Sequence, residues 1–239
     1  MNPLAMEPFG LALLDYYNGN SNAEILFRRD DGKEVVLPVS YFFRNSDDFS
    51  IIENMAVKLC KGRVLDIGAG TGSQSLMLQQ LDLQVKSIDI DANAVTVMKQ
   101  RGVQDVQCTD IFNFHERHFD TLLMLGHGIG MVETIDGLDR FLEHSQSLVA
   151  INGQIILDSL DVRKSDDKDN IVYLESHKRA GKYIGEIKMQ CEYNSKKGPY
   201  YGWLQVDEKT LKEHAEKKDW KFETLYTEEN GNYLARLAR

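Results

Sequence analysis

From residue 62 to residue 161 the chain repeats one alternation: a short apolar run of strand length, then a longer stretch with apolar residues at helical spacing. "RVLDIGAG" reads as a strand ending in glycines, "SQSLMLQQL" as a helix, "QVKSIDID" as a strand and "ANAVTVMKQR" as a helix. "VQDVQCTDIF" holds a third strand and "FDTLLML" a fourth. A helical set at Ile135, Leu138, Leu142 and Val149 then leads to the strand "GQIILDSLD", Gly153 to Asp161. Strand and helix in turn are what parallel α/β crossovers require, so five parallel strands are expected.

The flanks read differently. Pro8 to Gly19 carries Leu11, Leu14 and Tyr17 on one helical stripe, and "AEILFRRDDGKEVVLPVSYFF" gives two strands around an Asp30, Asp31, Gly32 turn, then an aromatic extended segment. Ser46, with Asp47 and Asp48 behind it, is the expected cap of a helix carrying Ile51, Met55 and Leu59. Beyond residue 161, "GKYIGEIKMQCEY" and "YYGWLQV" pair as an antiparallel ribbon, after a polar loop from Arg163 to Asn170. A charged helix, "DEKTLKEHAEKKD", and a hairpin turning at Glu229 to Asn232 close the chain. The expected division is an N-terminal cap and hairpin over 1–55, a core over 56–161, a lid insertion over 162–206 and a C-terminal completion of the core over 207–239.

Composition narrows the partners. With 28 basic and 37 acidic side chains in 239 residues, the formal charge is −9, which disfavours nucleic acid as a partner. Cys60, Cys108 and Cys191 form no CxxC pair and suit a reducing compartment. No basic segment precedes an apolar signal core, and no run approaches the ~20 apolar residues that span a bilayer. A cytoplasmic protein without a membrane partner, monomeric or homodimeric, is expected.

Gly68, Gly70 and Gly72 lie between a strand and a helix, where the chain turns tightly and offers amide donors at a helix N-terminus. A phosphate-cradling loop of the GxxxxGK type is excluded, because no lysine follows Gly72. A dinucleotide site is closer in pattern. Yet Asp66, two residues before Gly68, is a poor neighbour for pyrophosphate and a good one for an ammonium group.

"VLDIGAGTG", followed by "SIDIDANAV", "CTDIF" and "FDTLLMLG", resembles the ordered motif series of class I S-adenosylmethionine-dependent methyltransferases. The resemblance covers roughly Ala56 to Asp161, and the terminal hairpin resembles that family's last two strands. It implies an α/β fold: an open, doubly wound seven-stranded sheet with a terminal antiparallel hairpin, plus the antiparallel insertion. It also implies S-adenosyl-L-methionine as cofactor, with Asp66, Gly68, Ala69, Gly70 and Gly72 around its methionyl part. Asp89, 21 residues beyond Gly68, can accept both ribose hydroxyl hydrogens; Asp91 is its competitor in register and reads better as a turn cap. Asp110 matches the acidic position near the adenine amino group, Ile111 could cover the base, and Ile90 and Leu125 are assigned to the same cofactor site.

"LGHGIG", residues 125 to 130, resembles the family loop between sulfonium and acceptor. His127 there is either a general base or a residue that binds the acceptor or organises the loop. The loop lacks the Asn/Asp, Pro, Pro, aromatic motif of amide-nitrogen methylation, and the cysteines lack the motifs of cytosine attack. His115 and His118 form HxxH without further ligands, so no metal centre is expected there. Asp158 and Asp161 could hold a divalent ion or a polar acceptor, or cap the chain after the fifth strand. Tyr41, Arg44, Tyr173, Tyr183, Tyr201 and Trp203 are the expected acceptor wall, with Arg44 available to a carboxylate. The reaction expected is methyl transfer to an oxygen or nitrogen of a small molecule. The alternatives are an RNA or protein methyltransferase, and a non-catalytic S-adenosylmethionine-binding regulator.

Overall fold

The computed structural model describes residues 1–165 and 167–239. Helix α1 spans Pro3–Tyr17, five residues earlier in its start than its apolar stripe suggested, because the Asn2 side chain accepts from Leu4 N and Pro3 fits the first turn. Strands β1 (Glu24–Arg29) and β2 (Glu34–Pro38) form the expected hairpin, with Gly32 at φ +92° in its turn. The aromatic segment after it is not extended: Val39–Phe43 is a 3-10 turn. Helix α2 (Ile51–Leu59) is capped by Ser50, not Ser46. Ser50 and Glu53 make a reciprocal capping box, while Ser46–Asp48 is a separate 3-10 turn behind Asn45.

The core then alternates as the sequence predicts, except that Val149 opens the last strand instead of closing the helix before it: β3 (Arg63–Ile67), α3 (Ser73–Gln80), β4 (Gln84–Asp89), α4 (Ala92–Arg101), β5 (Asp105–Cys108), β6 (Phe119–Met124), α5 (Ile135–Leu148) and β7 (Val149–Leu160). Helix α6 (Lys168–Arg179) stands where only loop and ribbon were expected, capped by Asp167. The expected polar loop, Arg163 to Asn170, includes residue 166, which lies outside the described residues. Strands β8 (Glu186–Tyr193), β9 (Lys196–Lys197) and β10 (Tyr201–Leu204) follow, then α7 (Glu208–Lys217), β11 (Lys221–Thr227) and β12 (Asn232–Ala238).

Two sheets result. The larger has seven strands in the order β11-β12-β7-β6-β3-β4-β5; β3 to β7 are parallel, and β12 runs antiparallel between β7 and β11. The central strands are buried on both faces, as in Val64, Leu65, Leu122, Leu123, Ile155 and Ile156. The smaller sheet runs β10-β8-β1-β2, with β9 on β8. The N-terminal hairpin and the ribbon after residue 161 thus pair edge to edge through β1 and β8, antiparallel, with Phe27 opposite Cys191. Helix α1 joins this sheet to the core by lying against α4 so closely that a Cβ on Gly10 would sit 1.7 Å from Asp91 Oδ1.

Candidate active site

A cavity of about 720 Å³ opens at the carboxyl ends of β3, β4, β6 and β7 and is roofed by the smaller sheet. Its size lies within the range of small-molecule sites, and the carboxyl edge of an open parallel sheet is where such sites form.

One wall is backbone. After β3 the chain turns through Gly68 and Gly70, at φ +71° and +57°, and the Gly68 and Ala69 amides donate to Ile88 O at 2.9 and 3.1 Å. A Cβ on Gly70 would meet nothing within 4 Å, so this residue is glycine for its backbone angle and stands open to the cavity. Asp89, at the end of β4, locks the turn: Gly70 N donates to its Oδ2 and Asp91 N to its Oδ1, both at 2.9 Å. Each oxygen keeps a free lone pair. Burial, with the neighbouring Asp91 carboxylate adding to it, pushes the Asp89 pKa up to about 6 against the pull of those amides. Asp91 itself caps α4 through Asn93 N and Ala94 N.

Ile90, Thr109, Asp110, Ile111 and Leu125 continue this wall. Asp110 Oδ1 accepts from Phe112 N at 2.8 Å, and its Oδ2 lies 3.2 Å from the Met1 ammonium, which also meets Glu133. Two expected members of the set are not on the cavity lining. Asp66 points beneath the loop and accepts from Ser75 Oγ, itself in contact with Ser87; burial pushes its pKa up to about 6, with the Asp89 charge adding and Ser75 opposing. Gly72 is needed for packing, since a Cβ there would lie 2.6 Å from Val103 Cγ2 while the residue holds φ +76° at the α3 N-cap.

The facing wall centres on His127. It adopts φ +58°, its amide donates to Asp158 Oδ1 at 2.9 Å, and its Nε2 lies 3.0 Å from Asn232 Oδ1. Asn232 Nδ2 donates to Glu228 Oε2 at 3.1 Å, which turns its carbonyl oxygen to His127. The imidazole proton therefore sits on Nε2, leaving the Nδ1 lone pair unprotonated in the neutral ring. Asp158 is 6 % exposed on β7, and burial raises its pKa while the adjacent imidazole opposes the rise. Its Oδ2 comes no nearer than 3.8 Å to His127 Nε2. Asp161 does not join it: Arg163 Nε and Nη2 donate to Asp161 at 2.8 and 2.9 Å, and it caps the turn after β7.

The roof comes from one face of the smaller sheet. The register sets Ile187 opposite Trp203, Met189 opposite Tyr201, Phe27 opposite Val35 and Ile25 opposite Leu37. Of these all but Ile25 line the cavity. Trp203 packs onto the "LGHGIG" loop, where a Cβ on Gly130 would lie 2.1 Å from its Cε2. Sequence reasoning missed Phe27, Val35, Leu37, Ile187 and Met189, although the strict apolar-polar alternation of "EIKMQCEY" marks such a face.

Among the expected acceptor residues, Tyr41, Arg44, Tyr201 and Trp203 line the cavity. Tyr173 and Tyr183 do not. Tyr173 donates to Asp30 Oδ1 at 2.8 Å beneath the Arg29 guanidinium, holding α6 to the hairpin turn. Tyr183 donates to Asp207 Oδ2 at 2.7 Å at the start of α7. Arg44 is not free for a carboxylate: its Nη2 donates to buried Glu53 Oε1 at 2.8 Å, and its guanidinium stacks 4.4 Å over Tyr41.

The fold and this cavity define a small-molecule cofactor site on a doubly wound sheet, and the comparisons make the class specific. The family pattern described as "Methyltransferase domain" matches residues 65–157. A crystal structure of a SAM-dependent methyltransferase from Bacteroides fragilis, in complex with S-adenosyl-L-homocysteine, is 29% identical; the match covers 99% of this chain and 96% of that one at a TM-score of 0.86. The DhpI–SAH complex, at 18% identity and 96% of each chain, has a TM-score of 0.59. Magnesium protoporphyrin IX methyltransferase from Synechocystis, with bound SAH, is 16% identical over 79% of this chain and 81% of that one, at 0.51. No curated protein matches the sequence. Residues 65–157 carry the methyltransferase domain, and the chain as a whole has the fold of a class I S-adenosylmethionine-dependent methyltransferase.

The residues present fit that family's cofactor. Asp89 keeps unused acceptor capacity toward the cavity, and the space a Cβ would fill at Gly70 is open.

Proposed function

We propose that the chain transfers a methyl group from S-adenosylmethionine to an oxygen or nitrogen of a small-molecule acceptor. One observation carries this reading: the glycine loop with Asp89 and the His127–Asp158 wall open into a single cavity, so donor and acceptor can share it. Gly68, Ala69 and Gly70 hold the methionyl part, with Asp66 and Gly72 shaping the turn from behind. Asp89 accepts from the ribose hydroxyls, Asp110 accepts from the adenine amino group, and Ile90, Ile111 and Leu125 cover the base. Bound there, the cofactor supplies an electrophilic methyl on a positively charged sulfur. The chain's part is alignment: Tyr41, Tyr201 and Trp203 hold the acceptor against the loop, and His127 Nδ1 takes a proton from an acceptor that has to lose one.

The working compartment in this reading is the cytoplasm, supported by three free thiols, and the protein acts as a monomer or homodimer. Among the described residues no helix is long and apolar enough to cross a membrane. The formal charge of −9 favours a small acceptor over nucleic acid. The test is incubation of the purified protein with methyl-labelled S-adenosylmethionine and a cell extract, followed by separation into small-molecule, protein and RNA fractions. Label in the small-molecule fraction is the expected result. Label in RNA or protein, or tight cofactor binding with no transfer, overturns the reading in favour of one of its alternatives.

A further inference from the structure

The acceptor half of the cavity has an unequal balance of charge. Among the described residues the lysine, arginine and amino-terminal cations on the cavity are Arg44 and the Met1 ammonium, and both are already paired, Arg44 with Glu53 and Met1 with Asp110 and Glu133. Opposite it, the Asp158 side chain is 9 % exposed, and its Oδ2 receives no hydrogen bond from any described residue. A carboxylate this deep is normally paired with a cation or hydrogen-bonded on both oxygens. His127 fills neither role for Oδ2: its amide serves Oδ1, and its Nε2 proton goes to Asn232. Above the same loop stands the apolar face of the smaller sheet, with Trp203 against Gly130 and Ile187 beside it in register.

We propose that the acceptor is an amine on an apolar body, with its ammonium bound by Asp158 Oδ2 and its carbon skeleton under Trp203, Ile187 and Met189. An ammonium supplies the charge and the donor that Oδ2 lacks, and the roof removes the body from water. An anionic acceptor is disfavoured, because it would face Asp158 without a free cation. This inference rests on the methyl-transfer reading and narrows it to nitrogen. The chemistry balances as follows. The bound ammonium loses one proton to His127 Nδ1, and the nitrogen lone pair then forms a bond to the methyl carbon. The carbon–sulfur bond breaks with its electron pair left on sulfur, yielding the neutral thioether. The methylated nitrogen is again cationic and stays opposite Asp158.

Three probes that share a phenyl body test the assignment: 2-phenylethylamine, 2-phenylethanol and 3-phenylpropanoic acid. Each is titrated calorimetrically into the protein saturated with S-adenosylhomocysteine, and each is tested for label uptake from methyl-labelled S-adenosylmethionine. The amine is expected to bind at least about tenfold tighter than the alcohol, as a charge-assisted hydrogen bond to a buried carboxylate requires. In D158N, checked for folding by thermal unfolding, that preference is expected to vanish while the alcohol binds as before. The ranking in the unaltered protein stands even where D158N fails to fold. Equal or weaker binding of the amine, or an amine preference that survives D158N, overturns the proposal. Failure of S-adenosylhomocysteine to bind would instead defeat the methyl-transfer reading beneath it.

Discussion

The two halves of the cavity are built by different means. The half proposed for the cofactor is made of strand ends and the turns that leave them: Gly68, Ala69 and Gly70 after β3, Asp89 at the end of β4 with Ile90 behind it, Asp110 and Ile111 after β5. Its hydrogen bonds run from the amides of the glycine turn to the Ile88 carbonyl and the Asp89 carboxylate of the neighbouring parallel strand, and from Asp91 N back to Asp89. The roof of the half proposed for the acceptor is assembled from β1, β2, β8 and β10, which meet only because a hairpin near the start of the chain pairs with a ribbon late in it. The first half presents main-chain groups and fixed acids, so it suits one ligand. The second presents side chains on a sheet face, where substitution changes the lining without disturbing the core.

If that contrast holds, the largest effect belongs to the cofactor half. Asp89→Ala removes two charge-assisted acceptor positions and leaves the Gly70 and Asp91 amides without partners. Affinity for S-adenosylhomocysteine should fall by roughly 100-fold or more. Calorimetric titration measures it, with thermal unfolding of the ligand-free variant alongside; unchanged affinity in a folded variant refutes the role.

A steric change on the other half should separate the two. In Gly130→Ala the new Cβ meets the Trp203 indole, so the roof must shift and stability should drop by ~1–3 kcal/mol. S-adenosylhomocysteine affinity should stay within about threefold if the halves are independent. A collapse of cofactor binding in this variant would show that roof and glycine loop act as one unit.

Acidity probes the cofactor half again. The Asp89 pKa is raised from 3.8 to about 6, so without ligand this group adds stability that is complete below 3.8 and lost as pH rises through 6. Ribose hydroxyls that donate to the carboxylate need it ionised, so ligand binding has the opposite dependence. Affinity for S-adenosylhomocysteine should decrease by about tenfold between pH 7 and pH 5. A flat profile over that interval would remove Asp89 from the binding set.

The smallest effect is expected outside both halves. Tyr173→Phe deletes the hydroxyl that donates to Asp30 and accepts from Lys188 N, at a cost of about 1 kcal/mol in unfolding free energy. Cofactor and acceptor binding should not change. Weakened acceptor binding would return Tyr173 to the wall on which its aromatic character first suggested it.

Much of the lining of the half proposed for the cofactor was legible in the amino acids because each of its pieces is local. Gly68 and Gly70 declare a turn, and Asp89 closes the strand after it. The exceptions are instructive: Asp66 and Gly72 belong to the motif, yet they act behind the loop, on Ser75 and on Val103. Pattern identifies a motif without saying which side of the chain faces the ligand. The acceptor half was read through its aromatics, and aromatic character does not distinguish Trp203 over the loop from Tyr183 bonded to Asp207. Arg44 was visible as a cation, but its partner Glu53 lies on the next helix and was not.

The amino-acid sequence by itself determined the alternating core, the glycine turns and the acids at the strand ends, because steric limits on φ and ψ and side-chain periodicity act within a few residues. The tertiary structure alone decided that β1 pairs with β8, that one face of the joined sheet roofs the cavity, and that Asp158 lies buried with an open oxygen. A strand edge offers the same amides and carbonyls to any partner, so which edge it meets depends on where the rest of the chain has already packed.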